Sequence, residues 1–267
     1  MPCAIVLLGP VILENPAAVY LSTRMKTRTD LLPRSYSTAA VRIFGSIALS
    51  LAVDISTSSA APLYWDGTDT TADADGGAGT WDGSATNWDD AATAGNPVSW
   101  TASDDAVFGG VADSVTVSGN QQASSLTFDV DGYTLTGGTL TLAGTLPGVS
   151  VGDIAHSATI QSTLAGTDGF TKSGSGSLTV SNAGNSYTGA TTVSGGLLVL
   201  NQTANYVQAI AQSSQLTVSS GAEVRITGGV NAFQRSTSDA AVILDGGIFD
   251  YQASTHGHMG NRSESVV

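Results

Sequence analysis

Charge is what this sequence has least of. Asp, Glu, Lys and Arg together make up 12% of 267 residues, and only nine of them are Lys or Arg, where a soluble chain usually carries about a quarter. Helical domains cover their solvent faces with Lys, Glu and Arg, so the shortage argues against an α-rich fold. It argues equally against a nucleic-acid or polyanion partner, because phosphates are held chiefly by Lys and Arg. Cysteine occurs once, at Cys3, so the chain can build no internal disulfide framework. The apolar runs Cys3 to Leu13 and Ile43 to Val53 fall well short of the roughly 20 residues a membrane-spanning helix needs.

What is present in quantity is small and uncharged. Glycine reaches 32 residues, and much of the remainder is Ser, Thr, Ala and Asn. A hydrophobic content of 41% with a mean hydropathy of +0.13 is too high for a disordered chain. This composition suits a repetitive all-β protein whose exposed faces are hydroxyls.

The few cations are unevenly placed. Arg24, Lys26, Arg28, Arg34 and Arg42 precede the apolar run Ile43 to Val53, which passes into small residues ending at Ala60 and Ala61. A basic region, a short apolar segment and a small-residue site read as a secretory signal peptide. Met25 is the natural start under that reading, and the residues before it are an upstream extension or part of a long signal. Cys3 lies in this discarded part. Glu14, Asp30 and Asp54 also precede Ala61, leaving Lys172, Arg225, Arg235 and Arg262 against nineteen acids. The mature surface is strongly acidic and repels nucleic acid and anionic lipid.

Residues 62–119 carry all four tryptophans, in Y-W-D-G (Tyr64 to Gly67), G-T-W-D-G (Gly79 to Gly83), N-W-D-D (Asn87 to Asp90) and at Trp100. Trp65, Trp81, Trp88 and Trp100 are expected to cap the open end of a repetitive core; an exposed sugar-stacking face is the functional alternative. Residues 120–251 are periodic. Strands are expected at Ser114 to Val117, Ser125 to Phe128, Thr134 to Leu135, Thr139 to Leu142, Val149 to Val151 and Thr159 to Leu164. More follow at Gln215 to Val218, Glu223 to Ile226, Ala241 to Leu244 and Gly247 to Tyr251. Apolar positions recur every 8 to 11 residues or so, with Gly, Asn or Asp-Gly between them. Within a run they alternate with Ser and Thr, as at Leu178 and Val180, so one face is buried and the other wet. Two or three such strands fit one coil of about 20 to 25 residues. A β-sandwich has a similar strand spacing, but tight Asn-Gly hairpin turns are absent. The segment Ser213 to Gly229 also echoes an earlier one.

That earlier segment, Phe170 to Asn201, organises the chain. It reads F-T-K-S-G-S-G-S-L-T-V-S-N-A-G-N-S-Y-T-G-A-T-T-V-S-G-G-L-L-V-L-N, three short alternating runs (Ser177 to Ser181, Ala190 to Ser194, Leu197 to Leu200) between loose Gly- and Asn-rich turns. This stretch resembles the autotransporter-associated β-strand repeat, of the passenger-type, PATR-like family of exported bacterial proteins. The resemblance implies an all-β, right-handed parallel β-helix and an export route. It implies no reaction.

A search for chemistry finds no convergent set. Asp69, Asp73, Asp75 and Gly76, with Asp82 further on, partly resemble a calcium loop, but Thr71 stands where the first ligand should be. Asp89 with Asp90 and Asp104 with Asp105 are adjacent, so in strands they point to opposite faces. Asp129 and Asp131 share a face, but Asp131-Gly132 reads as a turn. His256 and His258 form H-G-H without a third ligand nearby. The G-S-G-S of Gly174 to Ser177 lacks the Lys and the helix of a phosphate loop. No catalytic, cofactor-binding or metal residue is assigned, no cofactor is expected, and the chain is not read as an enzyme.

The expectation is therefore an exported, non-enzymatic, surface-displayed or secreted stalk of adhesion type; the alternative is a carbohydrate-binding or polysaccharide-degrading β-helix protein. Glycans, host surfaces or neighbouring surfaces are the expected partners, with no nucleic acid and no stable membrane insertion by this chain. Residues 252–267 are polar and unpatterned, with no barrel or anchor. The reading is a fragment or a short relative, whose open C-terminal coil would support self-association.

Overall fold

The computed structural model describes residues 60–67, 71–145, 147–202, 210, 212–228 and 241–252, all within the compact unit Ser56–Val267. The expected signal peptide, but for Ala60 and Ala61, lies outside the described residues, and so does nearly all of the C-terminal segment. Alternating Val, Leu, Ile and Thr favour extended backbone, and among the described residues every regular element is a strand. In chain order β1 (Pro62–Trp65) and β2 (Gly79–Trp81) open the repeat, and β3 (Trp88–Asp89) and β4 (Pro97–Val98) stand outside it. Three coils of three strands follow. These are β5 (Asp105–Phe108), β6 (Ser114–Val117) and β7 (Asn120–Ala123); β8 (Ser125–Phe128), β9 (Tyr133–Thr136) and β10 (Thr139–Leu142); and β11 (Gly148–Val151), β12 (Ser157–Ile160) and β13 (Thr163–Ala165). The rest come in pairs: β14 (Phe170–Ser173) and β15 (Ser177–Val180), β16 (Thr191–Val193) and β17 (Gly196–Gln202), β18 (Leu216–Ser219) and β19 (Ala222–Gly228), β20 (Val242–Asp245) and β21 (Ile248–Tyr251).

These strands stack into a parallel β-solenoid. One long sheet runs β20-β18-β16-β14-β11-β8-β5-β1 and continues into β3 and β4; the second runs β2-β6-β9-β12-β15-β17-β19-β21; a short third holds β7, β10 and β13. Among the described strands, all pairings between successive coils are parallel, and the antiparallel ones are β1 with β3 and β3 with β4. Beyond β1, partner residues in the first sheet lie 20 to 26 positions apart, from Ala106↔Leu126 to Val218↔Leu244. A hairpin sandwich cannot produce this pattern, because parallel partners need a full crossover between them.

Register aligns like with like. The inward column of the first sheet is Leu63, Ala106, Leu126, Val149, Lys172, Val193, Val218 and Leu244. In the second it is Val115, Leu135, Ile160, Val180, Leu200, Ile226 and Tyr251. Alternation sends Ser and Thr outward at the intervening positions. The corners pack main chain on main chain: Gly196 has φ +63°, and a Cβ there would collide with the Gly176 carbonyl one coil back. Only glycine fits such a corner.

Several elements depart from the sequence expectation. The run Thr159 to Leu164 is two strands, β12 and β13, because the chain turns a corner at Gln161-Ser162 with Ser162 buried. The stretch Phe170 to Asn201 holds four strands rather than three. The unforeseen one, β14, puts Lys172 in the core column and so breaks the apolar alternation. β7 (N-Q-Q-A) was missed for a similar reason: the inward residue is Gln121, whose Nε2 donates to the Ser118 carbonyl at 2.7 Å.

Candidate functional site

The four tryptophans meet at the β1 end. Trp65, Trp81, Trp88 and Trp100 are all buried. Trp88 lies 5.1 Å from Trp65, 5.1 Å from Trp81, 4.7 Å from Trp100 and 5.6 Å from Phe108, centroid to centroid. Edge-on and tilted contacts at these distances are favourable for aromatic quadrupoles. The Trp65 indole N–H donates to the Gly77 carbonyl at 2.8 Å, and that of Trp100 to Gln122 O at 3.1 Å. Phe108 continues the plug by stacking on Phe128 at 5.1 Å. The rings face one another across the first coil, so their faces are spent on the core. Sugar stacking needs an exposed face, which these four do not offer.

The acids named from sequence are dispersed. Asp69 falls outside the described residues. Asp73 forms an isolated antiparallel bridge with Thr93, and the Asp75 N–H donates to Asp66 Oδ1 at 3.2 Å. Asp82 Oδ1 accepts from the N–H groups of Ala85 and Ser84, both at 2.7 Å, and from Ser84 Oγ at 2.9 Å; these bonds hold its carboxyl below the usual range. Among the described residues no three His, Cys, Asp or Glu converge as a metal site. Thr71 is exposed and Gly76 is buried under the Tyr133 hydroxyl.

Alternation separates the adjacent pair Asp89 and Asp90 into opposite environments. Asp89 is buried, while exposed Asp90 takes the Asn96 side-chain and backbone N–H groups at 3.0 and 2.7 Å, which lower its pKa. Asp105 Oδ1 accepts from Ser125 Oγ at 2.7 Å, and burial above all pushes the Asp104 pKa up. Asp131 Oδ1 takes both the hydroxyl and the N–H of Ser157 at 2.7 Å, which lowers its pKa; Asp129, two residues earlier in the same connection, is exposed. These carboxylates tie turns to strands. His256 and His258 lie outside the described residues. Sequence reasoning missed that Asp66 and Asp89 are both buried, sharing one face of the β1–β3 pair; only the antiparallel pairing of β1 with β3 brings them together.

Gly174 to Ser177 is a corner, and it holds the least expected group in the protein. Lys172 points into the core with no exposure. Its ammonium donates to the carbonyls of Ser173 (2.9 Å), Gly174 (3.1 Å) and Gly195 (3.0 Å). Burial pushes its pKa down to about 8, while three acceptors for three N–H groups favour the charged form.

The outer faces are built of hydroxyls in register. One column of the second sheet runs Ser114, Thr134, Thr159, Thr179, and a parallel one Thr80, Thr116, Thr136. Neighbouring coils repeat about 4.8 Å apart, so these columns form a flat, uncharged lattice. Further along, Val199, Arg225 and Asp250 replace the hydroxyls, with Arg225 paired to Glu223 at 2.5 Å and Asp250 at 3.0 Å.

A family model, the passenger-associated-transport-repeat, matches residues 170–200, the segment that spans β14 to β17. Over those residues the chain matches the autotransporter-associated repeat. It is 33% identical over 195 residues to the adhesin BmaC autotransporter of Brucella suis biovar 1 (strain 1330). The alignment takes in 72% of this chain and spans 5% of that relative's length. No solved structure matches. The repeat therefore coincides with the coils whose corners Lys172 joins.

Proposed function

We propose that this protein is an exported, surface-displayed or secreted passenger of adhesion type, which works as a non-enzymatic stalk and offers its hydroxyl faces to glycans or neighbouring cell surfaces. The observation that carries the reading is the outer face: columns of Ser and Thr in register, uncharged over four coils. Hydroxyl lattices can hydrogen-bond sugar hydroxyls in many registers, each weakly, so repetition along the solenoid supplies avidity. Similarity to a protein named an adhesin supports the same direction. Asp82, Asp90 and Asp131 bind backbone N–H groups at turns, and Glu223 and Asp250 pair with Arg225, which favours a scaffold over a hydrolase.

The test is a glycan array together with a polysaccharide-hydrolysis screen on the chain from Pro62 onward. Binding without turnover, weakened when Thr134, Thr159 and Thr179 are together replaced by Lys, is the expected result. Turnover abolished by one Asp substitution would instead establish the carbohydrate-degrading alternative. Export is tested separately: a reporter fused after Ala61 should be secreted when residues 25–61 are present and retained when they are removed.

A further inference from the structure

Buried polar groups in a solenoid core are unusual because most coils are joined by apolar stacking and backbone bonds alone. In the family-matched segment Lys172, Asn185 and Thr191 are buried, and each bonds to a neighbouring coil. Lys172 on β14 donates to Gly195 in the β16–β17 corner. Asn185 Oδ1 accepts from the N–H of Leu164 on β13 at 2.7 Å. The Tyr187 hydroxyl lies 2.8 Å from Thr191 Oγ1, which lies 2.9 Å from Ser213 Oγ in the coil that follows.

Lys172 is the decisive member. Its column neighbours are Val149 and Val193, and β11, β15, β16 and β17, the strands packed round it, contain no titratable side chain. The titratable groups nearest along the corner are Asp153 and His156, whose carbonyls border Gly176. Among the described residues no carboxylate pairs with the ammonium; carbonyls do. Two of these belong to its own corner, Ser173 and Gly174, and the third to the next coil.

The consequence is thermodynamic coupling. If the β16–β17 coil opens alone, the ammonium loses one acceptor of three together with its Val193 cover. If the β14–β15 coil opens alone, the Gly195 carbonyl loses its donor. Either partial opening breaks a charge-assisted bond between the two coils, which contributes more than an ordinary hydrogen bond.

We propose that Lys172 is a latch that makes the β14–β15 and β16–β17 coils one cooperative unit, so that the repeat 170–200 docks and opens as a whole and not coil by coil.

Native-state hydrogen exchange of the full chain, followed by mass spectrometry at increasing urea, tests this. In the wild type, peptides covering 170–176 and 191–200 should share one opening isotherm with one urea dependence. In Lys172→Met, which keeps the length and apolar stem of the side chain, both peptides should lose protection by about tenfold to a hundredfold, the equivalent of a lost charge-assisted bond, and their isotherms should separate. A loss confined to 170–176, or none, would overturn the latch. The wild-type measurement stands alone if the variant does not fold: two distinct isotherms there would also overturn it. Amine acylation adds a second readout, because Lys26 and Lys172 are the two lysines of the chain. Lys172 should become reactive only at the rate of that shared opening, and prompt labelling in the native state would contradict the proposal.

Discussion

The β1 end and the β20–β21 coil solve the same problem to different degrees. At the β1 end, four buried tryptophans and Phe108 fill the cross-section. The sheet there runs out through two short antiparallel strands, the outermost bearing Pro97. A two-residue edge strand with a proline offers little to a further strand. At the β20–β21 coil the same core columns are thinly covered: Ile226 is fully buried, but its partner Tyr251 is only half-buried, as is Leu244 after Val218. Ile248 is 59% exposed. Among the described residues β20 and β21 are paired on one side only, so this coil is expected to be locally less stable than those paired on both.

An inward substitution in a covered coil and an outward one in the β20–β21 coil test this comparison most directly. Leu178→Asp places an unpaired carboxylate in a coil covered on both sides, and should cost about 5 kcal/mol or prevent folding. The same change at Ile248 should stay within about 0.5 kcal/mol. Urea-unfolding midpoints read the contrast, and equal effects at the two sites would mean that the assigned facing of the strands is wrong. Next in size is Trp88→Ala, which removes the centre of the aromatic plug. A loss of about 3 to 5 kcal/mol is expected, accompanied by exposure of the remaining indoles in the fluorescence spectrum.

A smaller effect separates the middle of the solenoid from both ends. Burial holds the Lys172 pKa in the folded chain at about 8, below the ordinary lysine value of 10.5. Between those values the unfolded chain binds more protons than the folded one. Stability contributed by this group therefore rises with pH above about 8, and the cost of its burial is fully present below that. Melting temperatures should climb from pH 8 to 9.5, with a slope of at most about 1.4 kcal/mol per pH unit, and Lys172→Met should abolish the climb. Above that window Tyr133 acts in the opposite sense, since burial raises its pKa and the unfolded chain ionises first. The smallest expected effect is Arg225→Ala. Its ion pairs with Glu223 and Asp250 are partly exposed, so the loss should be under about 1 kcal/mol and shrink with added salt.

Much of the solenoid was legible because alternation is a local property. Ser114 to Val117, Ser125 to Phe128 and Thr139 to Leu142 are strands at the expected bounds, since each pairs small polar with apolar residues at period two. Where a polar side chain turns inward the pattern is lost, and Lys172 and Gln121 each concealed a strand. Nothing local distinguishes an inward lysine from an outward one; the carbonyls that accept its protons are set by corners one and twenty-three residues away. Asp66 and Asp89 escaped for a related reason. Their shared burial depends on β3 folding back antiparallel across β1, a reversal that short, turn-rich sequence between them does not announce. The tryptophans were readable as a plug because so many large rings in a weakly charged segment have few other places to go.

The central claim is that successive strands stack in parallel along one axis, and a distance measurement tests it most directly. Ser125 and Thr217 lie in one outward column, joined through Gly148, Thr171 and Thr192. With Cys3 replaced by Ser, spin labels on Ser125→Cys and Thr217→Cys should show a single backbone separation of about 19 Å, four steps of 4.8 Å. Moving the second label to Thr192 should shorten it by one step. A separation that does not fall by one step, or two populations of distance, would contradict the solenoid.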